Sequence, residues 1–212
     1  MSLFITFEGG EGGGKSIQAK ALLRKLSDLA VPVLLTHEPG GTPFGERMGR
    51  WLKWAQDVYI APLTELMLFN ACRAQLVAEV IQPNLKGGKV VICDRYADST
   101  TAYQGYGREL DLAMVKATNK AATQGLKPNL TILLDIPVEE GLARKMVKKQ
   151  DRFEQDTPIF HQKVREGYLE LAAAEPRRWL VVDASQSRQK IADIIWQRVS
   201  RSLAKGRNDK RT

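Results

Sequence analysis

The stretch Gly9-Gly10-Glu11-Gly12-Gly13-Gly14-Lys15-Ser16 follows an apolar run, Leu3–Phe7, and precedes a segment where Ile17, Ala21, Leu22, Leu26 and Leu29 recur at helical spacing. It satisfies G-x-x-x-x-G-K-[ST] at every fixed position, in the strand–loop–helix setting the motif needs. Glycines let successive backbone N–H groups, here running on to Ile17, curl around phosphate oxygens that a side chain would fend off. Lys15 adds a point charge for the outer phosphates, and the Ser16 hydroxyl suits Mg²⁺. The helix that starts there points its positive end at the same place. A chance match in a chain of this length is on the order of one in a hundred. The loop therefore reads as a nucleotide site.

Four further apolar runs, Val31–Thr36, Val90–Asp94, Leu130–Asp135 and Leu180–Asp183, are rich in Val, Ile and Leu without strict alternation. That is the pattern of strands covered on both faces. Helical periodicity lies between them, and Ile191, Ile194, Ile195 and Val199 mark a last amphipathic helix. The expected fold class is α/β, a five-stranded parallel sheet between helical layers. Asp94, Asp135 and Asp183 end three strands, where ligands of open sheets bind, although Asp135 and Asp183 read more readily as ordinary polar loop residues.

Composition narrows the rest. The 212 residues, 43% hydrophobic and 26% charged, can build a proper core, which excludes wholesale disorder. Two separated cysteines, Cys72 and Cys93, and two histidines, His37 and His161, exclude a disulfide scaffold and a cysteine- or histidine-based metal centre. No apolar run approaches the ~20 residues of a membrane span, and the N-terminus reads as a strand, so no membrane role is expected and the expected compartment is the reducing cytoplasm. A net charge of +8 implies an anionic partner without saying which.

The third strand runs into Asp94-Arg95-Tyr96: the carboxylate can hold Mg²⁺ through water, and the next residue is a cation. A second cationic run comprises Arg144, Lys145, Lys148, Lys149 and Arg152. By itself such a run is a solvated helix face. Beside a phosphate loop, a lid of about 141–155 that closes over phosphates stands equal to it.

Glu38-Pro-Gly-Gly-Thr42, Thr64-Glu-Leu-Met-Leu-Phe-Asn-Ala-Cys-Arg-Ala-Gln75, Asp94-Arg95-Tyr96 with Ser99, Ala102 and Tyr103, and Asp151-Arg-Phe-Glu154 together resemble the thymidylate kinase family. The resemblance covers residues 3 to about 187. It implies a P-loop nucleoside monophosphate kinase-like fold, ATP and dTMP as substrates, Mg²⁺, and a homodimer. It also implies a dTMP pocket built from Glu38, Pro39, Phe69, Arg73, Arg95, Ser99, Thr100, Tyr103 and Gln104. Phe69 would stack on the base, although its helix alone reads it as core. Arg73, one turn later, would donate to a base carbonyl. Thr100 and Gln104 would line base and sugar, Tyr103 would crowd the sugar 2′ position, and Glu11 would lie near the 3′-hydroxyl. Arg95 would contact the dTMP phosphate, with Ser16 and Asp94 on the metal side. Gly12 follows Glu11 where some members carry a loop arginine, so the resemblance is to the lid-arginine type common in bacteria. Lys15, Arg95, Arg144 and Arg152 are then the catalytic cations, with Lys148 next. The loop Asp183–Ser187 would lie near adenine.

Two positions depart from the family pattern. His37 stands where an Arg is usual, and Gly49-Arg50 occupies the place of an Arg that reaches the dTMP phosphate, leaving Arg47 or Arg50 to compensate. His161, in step with Val164, Tyr168 and Leu171, reads as structural or surface. Rival readings are a P-loop kinase of another nucleoside or nucleotide, and an ATP-dependent nucleic-acid-binding protein. Against the latter, basic residues are not interleaved with stacking aromatics, so no nucleic acid partner is expected. The charge is also local: residues 142–152 hold five basic side chains against Asp151, and residues 205–212 hold four against Asp209. The expected organisation is one kinase domain over 1–204 and a frayed basic tail at 205–212.

Overall fold

The computed structural model describes residues 2–55, 57–145 and 150–208, the last four of these as backbone only. Lys148, Lys149 and residues 209–212 of the expected lid and tail lie outside the described residues.

β1 (Leu3–Glu8) leads through the glycine loop into α1 (Lys15–Asp28). β2 (Val33–His37), α2 (Pro43–Trp54) and α3 (Pro62–Leu76) follow, and α3 continues through a wider turn at Val77–Ile81 into α4 (Gln82–Lys86). After β3 (Val90–Asp94) come α5 (Ala97–Thr100), a π-helical stretch Thr101–Gly107 and α6 (Leu112–Thr123). The chain ends with β4 (Leu130–Asp135), α7 (Val138–Ala143), α8 (Pro158–Ala174), β5 (Trp179–Asp183) and α9 (Arg188–Asn208).

All strands pair in parallel in the order β2-β3-β1-β4-β5. The five expected strands are present, with small shifts at β1, β2 and β5. β2 starts at Val33 because Pro32 has no N–H to give the ladder; its carbonyl still accepts from Val90 N–H at 2.8 Å. β1 explains the covering of both faces. Leu3, Ile5 and Phe7 join Leu22 and Leu26 of α1 and Ile191, Ile195 and Val199 of α9 in one core. Phe4 points the other way, to Leu76, Val77 and Ile81. Thr6 shares that second face and is satisfied by Thr131 Oγ1 at 3.0 Å, so a polar pair spans β1 and β4 without an orphaned hydroxyl.

Helices receive side-chain caps where the sequence supplies them, Asp111 accepting from Met114 N–H at α6. Thr42 accepts from Gly45 N–H at α2, and Thr157 accepts from Phe160 N–H at α8, each followed by Pro at N1. α9 runs to Asn208, so the tail expected to fray from residue 205 is helical through its first four residues. Among the described residues no helix is long and apolar enough to cross a membrane.

Leu26 is fully buried between α1 and the sheet. Leu26→Ala is expected to cost about 3 kcal/mol through lost burial and the cavity left behind. Urea unfolding checks this; a midpoint equal to the parent's would contradict the packing described.

Candidate active site

The carboxyl edge of the sheet carries the glycine loop after β1, Asp94 after β3 and Asp135 and Asp183 after β4 and β5, with Asp94 beside both Phe7 and His37. In the loop, Gly9 and Gly12 have φ of +134° and +70°. A Cβ on Gly12 would lie 2.1 Å from the Gly141 carbonyl, so the loop and α7 touch backbone to backbone. Lys15 Nζ donates to the Gly10 carbonyl at 2.7 Å. Burial, followed by the neighbouring Arg95 charge, lowers its pKa to about 8. The Ser16 hydroxyl donates to Asp94 across the loop mouth. A hydroxyl and a carboxylate facing each other are the hard oxygen pair that suits Mg²⁺, which prefers few protein ligands and takes the rest from phosphate and water. Among the described residues no cluster of three or more His, Cys, Asp or Glu forms a self-sufficient metal site.

Arg95 sits in the left-handed region at φ 70°, turning its side chain back under the glycine loop. It donates to Gly9 O at 3.1 Å, Glu11 Oε1 at 2.7 Å and the Tyr103 hydroxyl at 3.1 Å. Tyr103 in turn donates to Glu11 at 2.7 Å. Burial alone would raise the Glu11 pKa, but Arg95, Lys15, the Tyr103 bond and Lys145 outweigh it and hold the carboxyl well below the usual range. Arg95 also reaches Ser99 Oγ at 3.3 Å, and Ser99 donates to the buried Glu8 at 2.5 Å. Glu8 further accepts from Tyr96 N–H at 2.8 Å and Tyr168 O–H at 3.0 Å. Burial, then the Asp98 charge, pushes its carboxyl up to about 8.

Beyond Arg95 lies a second compartment. Glu38 and Arg73 form a buried fork, Nε and NH2 donating to the carboxylate at 2.9 and 2.6 Å. Arg73 also donates to Asn70, Asn119 and Thr100, at 3.1, 2.9 and 2.8 Å. Its contact with the Tyr96 carbonyl is the longest, at 3.3 Å. Phe69 is half-buried and faces Phe153 with ring centroids 5.6 Å apart; Tyr103 meets Phe153 edge-on at 6.1 Å. These groups and the glycine loop line one continuous cleft of about 1310 Å³, larger than a single small-molecule pocket needs.

The two lid arginines part company. Arg144 reaches the loop, donating to Gly12 O at 3.4 Å and Ala184 O at 3.1 Å. Lys145 binds Glu154 at 2.7 Å and lies 3.9 Å from Glu11. Arg152, expected among the phosphate cations, is turned to the acceptor end instead. It pairs with fully buried Glu65 at 2.6 Å, a carboxylate out of solvent that needs a countercharge, and donates Nε to the Leu52 carbonyl at 3.0 Å. Arg47 and Arg50 are exposed and outside the cleft lining; on α2 it is Lys53, one turn beyond Gly49, that lines it. Lys53 and Phe153 were missed by motif reading. The i, i+4 step from Gly49 was the available signal for the first, and the Asp151–Glu154 motif itself contained the second. His161 is buried on α8.

Two compartments that meet at shared cations along the carboxyl edge of a parallel sheet define a P-loop nucleotide kinase. Comparison with known proteins narrows that class. The profile of the thymidylate kinase family matches residues 7–195. A thymidylate kinase of Dehalococcoides mccartyi is 54% identical over 203 residues, covering 96% of this chain and 98% of that one. One from Geotalea uraniireducens is 46% identical over 213 residues, covering 97% and 100%. The crystal structure of thymidylate kinase from Ehrlichia chaffeensis superposes with a TM-score of 0.72 at 34% identity, covering 85% of this chain and 92% of that one. The chain belongs to the thymidylate kinase family.

Glu8 gives a test of the site's electrostatics. The folded carboxyl keeps its proton to about pH 8, whereas an ordinary glutamate releases it near 4.5. Between those values the unfolded state binds fewer protons, so this group's contribution to stability falls as pH rises through the window. Glu8→Gln, which preserves the neutral shape, is expected to flatten the decline of Tm between about pH 5 and pH 8. An unchanged slope in calorimetry would remove the assignment.

Proposed function

We propose that this chain transfers the γ-phosphoryl group of ATP to dTMP, giving ADP and dTDP, within one P-loop kinase domain. Family membership supports the reaction, and the placement of Arg95 carries the reading of the site. One guanidinium bridges the Gly9 carbonyl of the ATP loop and the Tyr103 hydroxyl of the acceptor pocket. It stands where the transferring group has to pass. A dTMP phosphate oxygen forms the new bond to Pγ while the bond from Pγ to the β-bridging oxygen breaks. The attacking oxygen is already ionised, so no protein base is required.

The chain's own work is positioning and charge. The loop N–H groups and Lys15 hold the donor phosphates, Arg95 holds the acceptor phosphate, and Arg144 approaches the loop from the lid. Lys53 supplies a cation on the α2 side of the acceptor, offsetting the missing Arg at Gly49. Phe69 and Phe153 bracket the base. Ser16 and Asp94 are the residues that would hold Mg²⁺, which when bound neutralises charge on the β- and γ-phosphates. Arg152 serves the acceptor end rather than the transferring phosphate. The loop after Asp183 lies on the adenine side. Two buried free thiols, Cys72 and Cys93, suit the cytoplasm as compartment.

The test is ADP release with dTMP against dUMP, dCMP and thymidine. Robust transfer to another acceptor with none to dTMP would sink the reading. Lys15→Ala and Arg95→Lys are each expected to cut turnover by roughly 10²–10³-fold with parental circular dichroism. Parental turnover in either removes that residue's role.

The proposed assembly is a homodimer. Phe44 and Trp51, two turns apart on α2, and Leu63 and Met67, one turn apart on α3, are each at least 41% exposed on neighbouring helices. An apolar face of this kind calls for a cover, and a second copy supplies one. Light scattering is expected to give twice the chain mass, and Trp51→Glu to shift it toward the monomer. A monomer at all micromolar concentrations would overturn the proposal.

A further inference from the structure

An amide that reads a ligand carries an ambiguity, because its oxygen accepts, its nitrogen donates, and the two ends have nearly the same shape. Gln104 lines the acceptor half of the cleft and is 2% exposed. Its orientation is settled from behind: Nε2 donates to Glu65 Oε1 at 2.7 Å. A carboxylate offers acceptors only, so the nitrogen must face it and the oxygen must face away.

Glu65 cannot turn to release that constraint. It is fully buried on α3, with Arg108 Nε at 3.3 Å from Oε1 and Arg152 NH2 at 2.6 Å from Oε2. Arg108 is itself locked, donating through both terminal nitrogens to Asp156 at 2.8 and 2.7 Å, with its guanidinium 4.4 Å from the centre of the Phe160 ring. Two carboxylates and two guanidiniums balance, and the arrangement joins α3, the π-helical stretch and the lid.

We propose that Glu65 is a specificity-positioning residue: it fixes Gln104 with its amide oxygen toward the acceptor base, as a hydrogen-bond acceptor for a ring N–H. Thymine and uracil carry such an imide N–H. Cytosine presents a lone pair at the same ring position and leaves the amide oxygen opposed by another acceptor. The inference rests on the reading of this compartment as the dTMP site.

The experiment compares kcat/KM for dTMP and 5-methyl-dCMP, which differ only at the 4-substituent and the neighbouring ring nitrogen. Glu65→Gln gives the carboxylate position a donor as well as an acceptor, so the Gln104 amide can sit either way round. Its dTMP preference is expected to narrow by roughly tenfold, with KM for ATP unchanged. Gln104→Met, which removes the amide without altering any charge, is expected to narrow it similarly. A folded Glu65→Gln or a Gln104→Met that keeps the full parental ratio overturns the proposal. If Glu65→Gln does not fold, the Gln104→Met ratio decides alone. Failure of the parent enzyme to phosphorylate dTMP would instead overturn the reading of the site, and is seen before any variant is made.

Discussion

A guanidinium held largely out of solvent beneath the phosphate loop is the constraint around which the cleft is arranged. Withdrawing Arg95 from solvent is costly unless its N–H groups find acceptors, and for the two terminal nitrogens the surroundings supply Gly9 O, Glu11, Tyr103 and Ser99. Glu11 explains itself through the same requirement: an acid inside a loop that binds phosphates looks misplaced until its partner is seen. The loop's own carboxylate holds the place of an anion beside Arg95. Behind them Glu8, kept neutral by burial, ties Ser99, Tyr96 and Tyr168 to the end of β1 without adding negative charge.

The acceptor end solves the same problem with more partners. Glu38 is matched by Arg73, and Glu65 with Asp156 by Arg108 and Arg152. Glu38, Arg73 and Glu65 are buried, so truncating a partner of any of them strands a charge and costs more than the contact itself contributes. That favours rigid walls, with Phe69 tilted against Phe153 and Tyr103 edge-on to it. The donor end, by contrast, is built mainly of backbone and a few cations.

Sequence legibility follows this division. The glycine loop and the five strands could be read directly because their chemistry is local: backbone that must curl, and apolar runs covered on both sides. Boundaries moved where a proline withheld its N–H, at the start of β2, and where the element extended beyond the expected residues, at β1, β2, β5 and α9. What a short motif cannot carry is the partner of a buried charge. Arg152 reads as a phosphate cation until Glu65, distant in sequence, claims it. Lys53 is invisible beside Arg47 and Arg50 until the register of α2 is fixed, because the helix turns the two arginines outward. The Gln104 amide has no readable direction at all without the carboxylate behind it.

The contact between Gly12 and Gly141 has a consequence for how such a chain can vary. A Cβ on Gly12 would lie 2.1 Å from the Gly141 carbonyl, and one on Gly141 would lie 2.4 Å from the Glu11 carbonyl. Neither residue can gain even a methyl group unless the other strand of backbone retreats. The root of the lid and the floor of the ATP site are therefore one inheritance unit. The seam between loop and α7 admits change only in concert.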